Sequence, residues 1–107
     1  ICGTLRLQGE RYRAVTSSTG PRAVVTIENY EKWTHRKHHP EDSSSVLFDT
    51  AAAYLAMDES LANIETIRLS IDDDGNTVPD EKGRPVRCGM SWKDRDAFEQ
   101  LLIDALK

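Results

Sequence analysis

The stretch WTHRKHHPEDSS, Trp33 to Ser44, concentrates the side chains best suited to chemistry. All 3 histidines of the chain, His35, His38 and His39, fall here beside Arg36 and Lys37. Imidazole titrates close to neutrality, and cationic neighbours favour its uncharged form, so each histidine is a candidate general base. Arg36 and Lys37 would stabilise the negative charge of a phosphorane-like transition state. A metal-independent ribonuclease needs such groups together with a second acid or base, for which Glu10, Glu28 and Glu31 are the carboxylates upstream.

The same residues also admit a metal or an anion. His35 and His39 are four apart, the spacing that places two imidazoles on one helix face in zinc-binding helices. No glutamate follows His35, however; Arg36 and Lys37 repel a cation, and Pro40 breaks a helix. No metal and no cofactor is therefore expected. An anion-binding patch would join Arg36 and Lys37 to Arg6, Arg11, Arg13 and Arg22, with Trp33 and Tyr12 as stacking surfaces. In an extended segment Arg11 and Arg13 would share one strand face. Against this stands a pI near 5.3, far from the basic balance of a dedicated nucleic-acid binder. A solvated connection whose charges pair with acidic neighbours is the preferred reading of the segment.

The other reactive types carry less. Cys2 and Cys88 form no CxxC and have no histidine at ligand spacing, which disfavours thiolate metal binding. They are read either as one long-range disulfide or as two buried thiols. The DDDGN run, Asp72 to Asn76, lacks the terminal bidentate glutamate of a calcium loop and reads as an Asp-Gly turn. Phosphate-cradling glycine loops, serine elbows and Cys-His arrangements are absent from the sequence.

The elements that would position these groups follow from periodicity. Alternating Leu5 and Leu7, then Tyr12 and Ala14, around Gly9 predict a hairpin, and the β-branched run over 22–30 predicts a third strand. Residues 45–62 predict an alanine-rich buried helix carrying Leu47, Ala51, Tyr54 and Leu61. At Ile67, Leu69 and Ile71 the period changes to two, and after a long acidic connection Val86, Cys88 and Met90 alternate inward. Ser91 and Asp94 resemble a capping box for a last helix with Phe98, Leu101, Leu102 and Ala105 on one stripe. The order β-β-β-α-β-β-α predicts an α+β fold: a mainly antiparallel sheet with two helices on one face and the other face partly solvated.

Length and composition bound the function classes. A chain of 107 residues, 38% hydrophobic and 30% charged, fits one domain over 1–107 with enough core to fold unaided. No apolar run reaches the roughly 20 residues of a membrane span. The chain begins with Ile1, which suggests a processed form or a segment of a longer protein, with a slight lean to an extracytoplasmic place. Residues 1–39 hold 7 basic and 3 acidic side chains and residues 40–107 hold 7 and 15, so the two parts are opposite in sign. The leading expectation is a non-enzymatic binding or assembly module with a protein partner. The alternatives are a nucleic-acid-binding or RNA-cleaving domain using residues 32–39 with Arg11, Arg13 and Trp33, and an acidic inhibitor whose loop at Asp72 to Asp74 meets a basic partner.

Overall fold

A computed structural model describes residues 1–34 and 42–107. His35, Arg36, Lys37, His38 and His39 thus lie outside the described residues. Four helices and one antiparallel sheet make an α+β fold among the described residues: α1 (Gly9–Thr16), α2 (Pro21–Thr34), α3 (Phe48–Leu55) and α4 (Arg95–Leu106), with strands β1 (Ala62–Ile71), β2 (Thr77–Pro79) and β3 (Arg84–Trp92). A short 3-10 turn at Cys2–Thr4 precedes them.

The first third corrects the expected strands, because it is helical. Only Leu5 and Leu7 remain extended and buried, held by the Leu47 N–H on the Leu5 carbonyl at 2.9 Å and the Ser44 N–H on the Leu7 carbonyl at 2.9 Å. Gly9 opens α1 instead of turning a hairpin. In α2, Pro21 occupies the first helical position, where its missing N–H costs nothing and its fixed φ suits the helix. Ala23 is buried, and Ile27 and Tyr30 follow it half-buried at helical spacing, while Val24 and Val25 of the β-branched run face solvent. Burial along one stripe outweighs the strand propensity of Val and Thr.

α3 is shorter than expected. It ends at Leu55, and the Asp58 carboxylate then accepts hydrogen bonds from the Ser60 N–H at 2.8 Å and the Ser60 hydroxyl at 3.0 Å, forming a turn that leads into β1. At the next boundary the cap is Asp94, which accepts from the Ala97 N–H at 2.9 Å. Ser91 belongs to β3 and receives the Asn63 side-chain amide at 2.8 Å, so the expected Ser91 cap is not formed.

The helices share a core of two clusters. Leu5, Ala51, Tyr54 and Phe98 form one, closed by Trp92, whose ring stacks on Phe98 at 4.5 Å. Leu7, Val15, Ala23 and Ile103 form the other. Of the sheet, Ala62 at its root is the residue buried in this body. The Cα radius of gyration is 16.2 Å, against about 13 Å for a compact chain of this size. With extents of 50 × 31 × 22 Å, the sheet stands out from the helical body like an arm.

Candidate interaction surface

The arm is built on β1, with β2 on one edge and β3 on the other. Beyond Ile71 the chain turns through Asp72 to Asn76, and the Asp-Gly turn is formed as expected. Gly75 sits at φ 85°, a region that glycine enters without penalty. The Asp72 carboxylate accepts the N–H groups of Asn76 at 2.8 Å and Asp74 at 3.0 Å. Those backbone donors, first that of Asn76, lower the Asp72 pKa. Its bracing of the turn is therefore present above the ordinary aspartate range and is lost as pH falls through the lowered value.

Thr77–Pro79 then pairs with β1 at Leu69 to Ile71, a third strand inside what reads as a connection. Between Asp80 and Gly83 the chain crosses over β1 to start β3 on the far edge. The crossing is close. A side chain at Gly83 would place its Cβ 2.3 Å from the Leu69 carbonyl oxygen, so glycine alone fits, and Arg68 Nη1 donates to the Gly83 carbonyl at 2.9 Å. Arg68 and Leu69 point to opposite faces, so the crossing runs on the face away from the Leu69 side chain.

Strand register assigns each residue to a face, because directly opposed residues of an antiparallel pair point the same way. One face meets the body. There Ala62 pairs with Trp92 and Ile64 with Gly89, which lies against the side chains of Ile1 and Leu55; farther out, Arg87 bonds Glu59 beyond α3. A register shift after Asn63 leaves Met90 as the extra residue of a bulge and bends the strand there.

The opposite face carries the apolar rows. Ile67 opposes Val86, Leu69 lies between Pro79 and Arg84, and Ile71 opposes Thr77, with Glu65 and Cys88 one row nearer the root. Ile71 is 66% exposed, Met90 47% and Val86 43%. The expectation that Val86, Cys88 and Met90 alternate inward is corrected here: Val86 and Met90 are exposed and Cys88 is half-buried, the alternation breaks at the bulged Met90, and both core clusters lie at the root and on the other side. Glu65 and Arg84, the charges of these rows, form no ion pair among the described residues.

The outer edge of β3 is poorly suited to adding a further strand. Gly89 turns its carbonyl outward to the terminal ammonium of Ile1 at 3.3 Å. By alternation Pro85 faces the same way, without an N–H to offer. Proline, bulge and ammonium together blunt this edge, while on the other side of β1 the short β2 pairs only with Leu69 to Ile71.

The residues singled out by type are dispersed elsewhere. Arg11 and Arg13 stand on helix α1, where two positions are about 200° apart, so the shared strand face expected for them does not exist. Arg11 bonds Asp96 at 2.9 Å and also Glu99, a buried carboxylate held in addition by Arg95 Nε at 2.6 Å. The hydrogen bonds that Arg11 donates, to Glu99 first and then to Asp96, raise its pKa. Arg13 pairs with Asp42, and Arg6 Nη1 donates to the Ser44 carbonyl at 3.2 Å. Trp33 is 70% exposed near the end of α2, with Tyr30 at 6.1 Å between ring centroids. Glu28, one of the candidate acids, accepts Lys32 at 2.7 Å, which lowers its pKa.

Cys2 and Cys88 are free thiols, both half-buried, so the disulfide alternative is not realised. No group of three metal-ligating side chains converges among the described residues, and none of their helices is long and apolar enough to cross a membrane. A small apolar cavity of about 70 Å³ between Tyr12, Val15, Ile27 and Leu47 is well below the roughly 300 Å³ at which drug-sized ligands begin to fit. Periodicity alone could have flagged the arm, since Ile67, Leu69 and Ile71 alternate with polar residues; no sequence signal says which side the helices leave uncovered. No family model, curated protein or solved structure matches the chain.

Proposed function

We propose that this chain is a non-enzymatic binding or assembly module that engages a protein partner through the uncovered face of its sheet. The observation that carries the reading is a contiguous apolar surface in which Ile71 and Val86 are exposed and Ile67 and Leu69 half-buried, although the helices have a core of their own. Scattered exposed apolar residues need no explanation, but contiguous rows on a projecting sheet are a costly surface to leave in water unless another surface covers it. Commitment of Arg11 and Arg13 to carboxylates of this same chain favours the protein partner over a phosphate backbone.

The test places a photoreactive benzoylphenylalanine at Val86, at Ile71 or, as a control, at Met57, which is 81% exposed on the helical body. In the full-length protein in its own cells, residues 86 and 71 are expected to give the same discrete adduct, several-fold above position 57. Equal yields at all three positions would remove the reading.

A further inference from the structure

Resting on that reading, we infer that the partner of the sheet face is a second copy of this chain, docked face to face with its strands antiparallel to the first. Two independent charge relations point to it. Glu65 and Arg84 lie one row to either side of the Ile67 and Val86 row, and neither has an ion-pair partner among the described residues. A two-fold axis crossing the strands at that central row carries Arg84 of the second copy to the level of Glu65. The two then lie one strand apart laterally, about 4.8 Å, across sheets roughly 10 Å apart, a span that an arginine and a glutamate side chain bridge. Symmetry repeats the pair, so the central Ile67 and Val86 row is flanked by two reciprocal ion pairs.

The second relation lies at the ends. Ile67 is midway in sequence between Leu61 and Asp73, and Lys93 sits beside Leu61 through its N–H on the Leu61 carbonyl at 2.8 Å. The same axis therefore brings the exposed tip carboxylates Asp73 and Asp74 of each copy to the level of Lys93 on the other. An axis along the strands would instead set Glu65 over Glu65 and separate the tip from Lys93. The body does not obstruct the approach, because it packs on the opposite face. Between the charges, Ile67 and Val86 of the two copies cover one another, while Leu69 and Ile71 of each lie at the levels of Glu65 and Asn63 of the other.

The face is small, three strands wide at most, and buries roughly 400 Å² per copy from strand spacing and length, below the range of permanent interfaces. The dimer is therefore weak, and its population follows concentration.

Sedimentation equilibrium from micromolar to millimolar protein tests the arrangement with Glu65→Arg, Arg84→Glu and their equimolar mixture. Wild-type protein is expected to dimerise. Each single variant, which meets like charge twice, is expected to associate at least tenfold more weakly. The mixture restores opposite charges at both pairs and is expected to return to within about threefold of wild type, which also shows that both variants are folded. A monomer throughout the range, single variants that associate as wild type does, or a mixture without recovery would each overturn the second copy as partner. In those cases a photo-adduct at positions 86 and 71 with a different protein would leave the binding reading standing, whereas no adduct there would remove both.

Discussion

The helical body and the sheet arm use the same residue types to opposite ends. In the body, Leu5, Leu7, Phe98 and Ile103 are at most 3% exposed and converge from segments far apart in sequence. In the arm, Ile71, Val86 and Met90 are between 43% and 66% exposed, and their neighbours are the adjacent strands of the same sheet. The body is held by tertiary burial. The arm is held by backbone pairing, two turns and a close crossing, which leaves one apolar face free. Separating cohesion from burial in this way gives a fold that stays intact while leaving hydrophobic surface in water.

The largest test of the contrast lies in the body. Phe98 packs on Trp92 and on Tyr54, the latter at 5.1 Å, and is 1% exposed. Phe98→Ala is expected to destabilise the chain by about 3–5 kcal/mol, the cost of a large buried aromatic, read from the urea midpoint of unfolding. A loss under about 1 kcal/mol would mean that the body is not where stability resides. A smaller and more local effect is expected in the arm. Gly83→Ala forces a methyl against the Leu69 backbone and is expected to cost about 1–3 kcal/mol by overpacking. Amide hydrogen exchange should speed up at Leu69 and Ser70 but not at Phe98 or Ile103. Uniform loosening of both regions would show that arm and body unfold as one unit.

How far this division could be read in advance depends on the kind of signal. The strand at Ile67 to Ile71, the Asp-Gly turn and the helix carrying Phe98 were legible, because alternation, turn chemistry and a helical stripe are all local. Residues 22–30 misled, since Val24, Val25 and Thr26 favour strands locally while the buried spacing Ala23, Ile27, Tyr30 is helical. Gly9 was ambiguous for the same reason: a glycine marks a break without saying what begins after it. Alternation at Val86 and Cys88 showed that one side of β3 is apolar, yet whether a helix covers that side depends on the path of the whole chain. The crossing at Gly83 was illegible too, because a close approach to Leu69 exists only once both edges of β1 are occupied. The candidate interaction surface was thus present as a pattern and hidden as a location, whereas the histidine-rich segment drew attention through its chemistry and falls outside the described residues.

The central claim is that the face bearing Ile71 and Val86 is open to solvent in the single chain. Methyl relaxation by a water-soluble paramagnetic agent, measured at protein concentrations too low for self-association, tests it most directly. Broadening of the Ile71 and Val86 methyl signals to the level of an exposed residue such as Val25, with Leu5 and Ile103 unaffected, is the predicted result. Protection of Ile71 and Val86 equal to that of Leu5 would contradict the account.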